Sequence, residues 1–398
     1  MTNKVAVIGL GYVGLPLSVA AANSGFQVVG IDINQTQVSK INEGLSPISD
    51  VSDEEISKLI KNGQFIATSE YSEIIGAEVV LLCVPTPLSS NLKPDISSLE
   101  MAAKSVAPYI GKNMLVILES TVEPGTTRNI LSPLLTKGSK LKHEEFLVAF
   151  SPERIDPANK VWTVKNTPKL VSGLTEDACN KAVNFYEKFI QHVVKCDSLE
   201  IAETSKLLEN SFRLINISFI NEISMFCHKL GIDVNKVIAA AETKPYGFMS
   251  FYPSIGVGGH CIPVDPLYLA NKAREIGVPT KLIDLASQLN RELPDYFVNR
   301  AEEKIGNLMG KKILILGVSY KPNIADVRET PVQNLIECLR KKGAEVSWHD
   351  ELVQEWNGKK SSALSSNYDL AILATPHDYL DLAKLGNVPI LNTRGSIQ

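Results

Sequence analysis

A six-residue run near the amino terminus, Gly9-Leu10-Gly11-Tyr12-Val13-Gly14, restricts the fold more than any other part of the chain. The apolar, β-branched segment Lys4–Ile8 precedes it, and a helix-compatible segment follows. A second strand pattern, Val28–Ile31, ends in Asp32. Glycines in a strand-to-helix turn permit a sharp bend and let a pyrophosphate approach the helix N-terminus, while the acid accepts hydrogen bonds from a ribose. The pattern predicts the first βαβ unit of a dinucleotide-binding domain. Asp32 repels a 2′-phosphate, and no Arg or Lys follows it before Lys40, so NAD is expected rather than NADP. Val5–Ala22 is uncharged and superficially mimics a secretion signal, yet Gly9, Gly11, Gly14 and Pro16 interrupt it where a phosphate-binding turn needs them.

Short apolar runs continue the pattern at Val79–Val84, Leu115–Glu119, Leu147–Phe150 and Lys169–Ser172. Alternation with helical segments reads as a parallel sheet covered on both faces. Leu199–Leu230 contains neither Gly nor Pro and is followed by Gly231, which predicts one helix roughly 45 Å long. Helical patterns follow at Val234–Glu242, Pro266–Ile276 and Lys281–Arg291. A second α/β pattern starts at Lys311: strands at Lys312–Leu316, Glu345–Trp348 and Leu370–Ala374, and a helix at Pro331–Lys342. Val79–Pro87 and Asp369–Pro376 echo each other, which suggests two related lobes. The expected fold is α/β: two Rossmann-like doubly wound domains joined by a long central helix and a helical middle domain. The expected divisions are 1–198, 199–300 and 301–398.

Chemistry-bearing residues cluster in three places. Val84-Pro85-Thr86-Pro87, Glu119-Ser120-Thr121 and Ser151-Pro152-Glu153 fall at the carboxyl ends of predicted strands, where ligands of doubly wound sheets bind. Gly256-Val257-Gly258-Gly259-His260-Cys261-Ile262-Pro263-Val264-Asp265 presents a cysteine in a glycine-rich loop that lets a substrate approach closely. A thiol there can add to an aldehyde; His260, its neighbour, reads as structural. Lys206, Asn210 and Arg213 recur at helical spacing on one face of a helix apolar nearly all round, which implies burial and a pocket for a phosphorylated or polyhydroxylated ligand.

The net charge of -4 favours neither nucleic acid nor an anionic membrane as partner. Six scattered cysteines, without CxxC or metal-ligand spacing, argue against a disulfide framework and a zinc site and suit a reducing, cytoplasmic compartment.

Taken together, Gly9–Gly14, Glu119–Thr121, Ser151-Pro152-Glu153-Arg154, Ser205–Asn210, the Cys261 loop, and Gly317–Pro322 with Asp326, Arg328 and Pro331 resemble the UDP-glucose/GDP-mannose dehydrogenase family over nearly the whole chain. The resemblance implies a four-electron oxidation of a sugar primary alcohol with two NAD molecules. Cys261 would capture the aldehyde, with Lys206, Asn210, Asp265, Thr121 and Glu153 assisting as catalytic groups. Cofactor contacts would come from Gly9, Gly11, Tyr12, Val13, Gly14, Asp32, Thr86, Thr121 and Arg328. Substrate contacts would come from Glu153, Arg154, Lys206, Asn210, Arg213, Phe251, Tyr252, Gly258, Lys321 and Arg394. The long helix would form the core of a homodimer. No metal is implied.

Lys244–Phe248, Phe251–Pro253 and His260–Pro263 look most like the UDP-N-acetylhexosamine branch, UDP-N-acetylglucosamine first and UDP-N-acetylmannosamine next, with UDP-glucose as the alternative. Three positions depart from the family pattern: Gln37 stands where an Arg is common, Asp156 and Pro157 where a second Glu is expected, and Asn392 where an Asp is frequent. The competing readings are a two-electron dehydrogenase on a similar frame and a catalytically silent NAD-binding regulator.

Overall fold

The computed structural model describes residues 3–48, 50–156, 159 and 161–395. Pro157, one of the departures noted above, lies outside them. The chain forms two compact units, Met1–Leu208 and Glu209–Gln398.

The first unit is built on an eight-stranded sheet. Its strands are β1 (Lys4–Ile8), β2 (Gln27–Ile31), β3 (Phe65–Thr68), β4 (Val79–Leu82), β5 (Leu115–Leu118), β6 (Leu147–Phe150), β7 (Lys169–Gly173) and β8 (Val193–Lys195). Their order is β3-β2-β1-β4-β5-β6-β7-β8. All neighbours are parallel except β6 and β7, which run antiparallel. The chain order reverses between β1 and β4, the switch point at which such sheets bind ligands. Helices α1 (Gly14–Asn23), α2 (Gln35–Asn42), α3 (Asp53–Lys61), α4 (Ser97–Val106), α5 (Ser132–Ser139) and α6 (Glu176–Tyr186) cover the sheet. Alternate residues of β1 feed two cores: Val5 and Val7 pack with Leu15, Leu17 and Ile56, and Ala6 and Ile8 pack with Leu99, Ala103 and Leu135.

Helix α7 (Leu199–Leu230) has the limits expected from its freedom from Gly and Pro. Its burial differs from expectation. Leu207, Leu214 and Ile220 are buried, but Leu208, Phe212, Phe219, Phe226 and Leu230 are each 45–62% exposed. The apolar girdle therefore includes one stripe that remains largely exposed.

The second unit continues with α8 (Val234–Glu242), α9 (Asp265–Glu275) and α10 (Lys281–Ile305). Helix α10 runs well beyond the expected end at Arg291 and passes through Pro294. A proline inside a helix costs about 3 kcal/mol. Burial of Leu293, Phe297, Val298 and Ala301 in the core of this unit offsets that cost. A four-stranded parallel sheet follows, made of β9 (Lys312–Leu316), β10 (Glu345–His349), β13 (Leu370–Leu373) and β14 (Ile390–Asn392), in the order β10-β9-β13-β14. Helix α11 (Val332–Lys341) crosses between β9 and β10, and β11 (Glu355–Trp356) and β12 (Lys359–Lys360) form a small hairpin.

The two sheets share a local design. Gly9 follows β1 with a φ of 91° and donates its N–H to the carbonyl of Ile31 at 2.8 Å. Gly317 follows β9 with a φ of 79° and donates to the carbonyl of His349 at 2.9 Å. The echo between the two α/β segments is therefore structural as well as sequential.

Candidate active site

In the first unit the glycine turn has three distinct positions. A side chain at Gly9 would lie 2.6 Å from the Cys83 carbonyl oxygen, and one at Gly14 would lie 1.9 Å from the Gly9 carbonyl oxygen. Nothing lies within 4 Å of the corresponding point at Gly11. Gly9 and Gly14 thus fold the turn, and Gly11 leaves room above it. Asp32 accepts from the Leu10 N–H at 2.8 Å through Oδ2 and from the Asn34 N–H at 2.9 Å through Oδ1. These two bonds leave lone pairs for a ribose. The turn, the room over Gly11 and the half-saturated acid fit NAD. Gln37 ties the same region together: its side-chain amide donates to the Leu10 carbonyl at 2.6 Å.

Strand ends gather the expected polar groups. The Thr86 hydroxyl donates to the Thr121 carbonyl at 2.8 Å, and the Ser120 hydroxyl donates to the Val84 carbonyl at 2.6 Å, joining the ends of β4 and β5. Glu153 folds back on its own loop: Oε1 accepts from the N–H groups of Arg154 at 2.7 Å and Ile155 at 2.6 Å. Its Oε2 is buried with no partner, beside a small cavity lined by Arg154, Thr167 and Lys169. Arg154 is held by donation to the Pro168 carbonyl at 2.7 Å. Asp156 accepts from Asn159 at 3.1 Å.

A buried ionic cluster behind this edge is not apparent from the sequence. Lys169 donates to Glu119 Oε2 at 2.7 Å, and the Tyr186 hydroxyl bonds Glu119 Oε1. Burial raises the Glu119 carboxyl to about 7, against the opposing pull of Lys169 and with a further push from Glu153. Burial and the charge of Glu119 also push the Cys83 thiol well up. Glu203 on α7 is a second such group: it accepts from the N–H groups of Gly125 at 2.6 Å and Thr127 at 3.0 Å and so fixes the loop after Thr121. Lys206, one turn further along, is 8% exposed and has no hydrogen bond or ion pair among the described residues.

The second unit carries the cysteine. Cys261 is exposed and lies just before α9. Its carbonyl accepts the Asp265 N–H at 2.8 Å, which places Asp265 in the first turn of that helix. The Asn210 amide donates to Asp265 Oδ2 at 2.6 Å, with both residues buried. The sequence-predicted Asn210, Cys261 and Asp265 are therefore neighbours. Arg213 departs from expectation: it is exposed, although it shares the face of Lys206 and Asn210. Helical spacing fixes direction and not cover, and its long stem reaches water.

Glycines of the cysteine loop also serve a purpose other than the expected one. A side chain at Gly258 would meet Tyr320, Glu329 and Pro331 at 2.8 Å, and one at Gly259 would meet the Tyr320 ring at 2.9 Å. Their backbone is covered by the chain's own segment 320–331 rather than left bare. Gly259 donates its N–H to the Arg328 carbonyl at 3.2 Å, which brings Lys321 and Arg328 into the neighbourhood of the cysteine loop. Arg328 is paired with Asp326 at 2.5 Å. Asn290, which carries no sequence signature, clamps the loop's start: Oδ1 accepts from Val257 N–H at 2.8 Å, and Nδ2 donates to the Val257 carbonyl at 3.3 Å. Burial, followed by the Arg328 charge, holds the His260 imidazole below its ordinary range. Phe251 packs edge-on against Phe212 with ring centroids 5.8 Å apart, whereas Tyr252 and Arg394 are exposed. Asn392 accepts from the Arg394 N–H at 2.8 Å, a role an Asp would fill equally.

A glycine turn at a sheet switch point, an acid placed for ribose and a cysteine beside a buried Asn–Asp pair define an NAD-dependent oxidoreductase. Models of three domains of the UDP-glucose/GDP-mannose dehydrogenase family match the chain: the NAD binding domain over residues 3–190, the central domain over 200–292 and the UDP binding domain over 314–395. The chain belongs to that family and is an NAD-dependent UDP-sugar dehydrogenase. It is 33% identical to a UDP-N-acetyl-D-glucosamine 6-dehydrogenase of Salmonella typhi, with 94% of this chain and 90% of the relative covered. It is also 33% identical to a UDP-N-acetyl-D-mannosamine dehydrogenase of Pyrococcus horikoshii, with 94% and 89% covered. A solved structure of the UDP-D-ManNAc dehydrogenase from Pyrococcus horikoshii superposes with a TM-score of 0.91 at 32% identity, covering 99% of this chain and 96% of that one. No helix among the described residues is long and apolar enough to cross a membrane, and no three or more His, Cys, Asp or Glu residues there are grouped so as to hold a metal ion.

Proposed function

We propose that the chain oxidises a UDP-N-acetylhexosamine, UDP-N-acetylglucosamine in the first instance, at C6 to the uronic acid through a thioester on Cys261. The carrying observation is the buried Asn210–Asp265 pair directly beside the cysteine turn. A hydride transfer alone needs no nucleophile, so an exposed cysteine in this position favours four-electron over two-electron chemistry. NAD, when bound, accepts a hydride from the sugar C6 in each of two oxidations.

The residues divide the remaining work. In the first oxidation the C6 hydroxyl gives up its proton, to Lys206 or to a water near Asp265, and becomes an aldehyde. The Cys261 sulfur adds to that carbonyl, its proton passing to the new oxygen, and holds the aldehyde as a thiohemiacetal. The second oxidation removes the C6 hydrogen and the hydroxyl proton and leaves a thioester. Water, oriented at Asp265, Glu153 and Thr121, then adds to the thioester carbonyl, releasing the carboxylate and restoring the thiol. Lys206 and Asn210 donate to the oxyanions that form on the way. Lys321 and Arg328 serve the substrate phosphates and the cofactor, and Glu153, Arg154, Phe251, Tyr252, Gly258 and Arg394 the sugar and nucleotide. Arg213, being exposed, serves only an outer part of the ligand.

The protein acts as a homodimer through α7. Contiguous exposed apolar patches mark interaction sites, and the spacing of Leu208, Phe212, Phe219, Phe226 and Leu230 by four and seven residues suits a helix-to-helix seam.

The deciding experiment supplies limiting UDP-N-acetylglucosamine, UDP-N-acetylmannosamine or UDP-glucose and counts NADH. Two NADH per UDP-N-acetylglucosamine, with weaker or no turnover of the others, is the expected result. Two per molecule of another sugar moves the substrate and keeps the chemistry. One NADH per sugar overturns the thioester, and none from any of them points to another nucleotide sugar or to the silent regulator.

A further inference from the structure

In the second sheet, Asp350 stands where Asp32 stands in the first. Val318, the residue after Gly317, donates its N–H to Asp350 Oδ2 at 2.9 Å, as Leu10 donates to Asp32. The surroundings then diverge. Asp32 has two backbone donors, both quoted above. Asp350 has five more donors besides Val318: Ser319 Oγ at 3.4 Å and His377 Nε2 at 3.1 Å on Oδ2, and Leu352 N–H at 3.0 Å, Val353 N–H at 3.2 Å and Tyr379 OH at 2.9 Å on Oδ1. A carboxylate offers about four lone-pair sites. Asp350 therefore has no capacity left for a ribose, and both it and His377 have fully buried side chains.

The tautomer of His377 follows from its partners. Asn323 N–H can only donate, and it points at Nδ1 at 2.9 Å. Nδ1 is therefore the acceptor and Nε2 carries the proton that faces Asp350. The same loop holds the turn at two further points. Thr375 Oγ1 donates to the Ser319 carbonyl at 2.6 Å. Asn323 and Asp378 exchange two bonds, Nδ2 to Asp378 Oδ2 at 2.8 Å and Asp378 N–H to Asn323 Oδ1 at 3.0 Å. Asn323 itself has a φ of 64°, a conformation that needs such local support in a residue with a side chain. Lys321 sits midway between the two fastened ends, Ser319 and Asn323.

We infer that His377 is a positioning residue: bridging Asp350 and the Asn323 amide, it converts the former ribose acid into a strut that fixes the Ser319–Asn323 turn and so presents Lys321 to the nucleotide phosphates. The inference rests on the reading of this lobe as the UDP-binding one. It also accounts for why a lobe with the backbone of a dinucleotide site offers no free acid to a ribose.

Two substitutions separate the bonds of the imidazole. His377→Asn keeps an acceptor at the Nδ1 position, and His377→Gln keeps a donor at the Nε2 position. Hydrogen exchange of the full-length protein, followed by mass spectrometry over residues 319–326, reads the anchor; calorimetric titration with UDP and, separately, NAD reads its use. In His377→Gln the segment is expected to exchange at least tenfold faster and UDP to bind at least tenfold more weakly, with NAD affinity unchanged. His377→Asn, which severs the Asp350 half of the bridge, is expected to speed exchange and weaken UDP in the same direction, again with NAD affinity unchanged. Unchanged exchange in either variant, or a loss of NAD affinity equal to the loss of UDP affinity, overturns the proposal. A wild type that fails to bind UDP while exchange responds as expected overturns the nucleotide reading and leaves the anchor standing.

Discussion

Asn210 donates to Asp265 across 2.6 Å, from the side of α7 to the first turn of α9, with both side chains buried. The bond fixes the Asp265 carboxylate beside the Cys261 turn and uses one Asn210 donor hydrogen, leaving the second for an oxyanion. Removing one oxyanion donor costs about a hundredfold to a thousandfold in kcat. Asn210→Ala should show a loss of that size with NAD affinity unchanged, measured by steady-state kinetics and NAD titration. A loss confined to KM would make Asn210 a binding group only.

Cys261→Ser should abolish net acid formation and retain NAD binding. The exposed position of Cys261 makes structural damage minor, so the thermal midpoint should match the wild type. Wild-type turnover by the variant sinks the thioester.

The glycine turn separates a folding requirement from a binding one. Gly14→Ala drives a methyl group into the Gly9 carbonyl and should lower stability by about 2 kcal/mol or more, seen as a reduced denaturation midpoint. Gly11→Ala meets nothing in the protein and should fold normally while weakening NAD at least tenfold. Equal NAD affinity in Gly11→Ala would place the pyrophosphate elsewhere.

Glu119 gives a pH dependence with a defined sign. Its carboxyl is raised from 4.5 to about 7 in the folded chain, chiefly by burial. The folded state therefore holds a proton that the unfolded state has lost, and its stabilising contribution is present below pH 4.5 and disappears as pH rises through 7. The slope within that window approaches about 1.4 kcal/mol per pH unit. Chemical denaturation at several pH values should show stability falling over this range, and Glu119→Gln should flatten the fall. A slope identical in the variant assigns the titration to another group.

If α7 is the seam of a homodimer, Phe219→Glu should dissociate it, because a carboxylate would be buried at a site now 54% exposed and apolar. Light scattering coupled to gel filtration distinguishes the species. A monomeric wild type, or a dimer that survives the change, removes α7 from the interface.

Much of this architecture was legible in the sequence because local physics was decisive. The limits of α7 follow from its freedom from Gly and Pro, and β1, β6 and β9 from apolar runs with turn residues at their ends. Strand β8 (Val193–Lys195) was not legible, since its residues are half-buried or exposed and its pairing with β7 is a long-range matter. The true end of α10 was hidden by Pro294, whose local cost is outweighed only by tertiary burial. Among site residues, Asn210, Cys261 and Asp265 stood out by type and spacing. The glycines at 258 and 259 were visible, but the Tyr320 ring that fills their places was not. Lys169, Tyr186, Glu203, Asn290 and His377 act through partners distant in the chain, and nothing beside them in sequence discloses those partners.

The fit of Tyr320 against Gly258 and Gly259 sets a rule for building hybrids of this enzyme with its relatives. A crossover placed at the obvious seam, between α10 and β9, would pair a cysteine loop from one parent with a tyrosine-bearing turn from another. Any difference in that turn would displace the reactive sulfur, even with every catalytic residue retained. Exchanges that begin upstream of Ser254 carry loop and turn together, so nucleotide preference and thiol placement are inherited as a single heritable block.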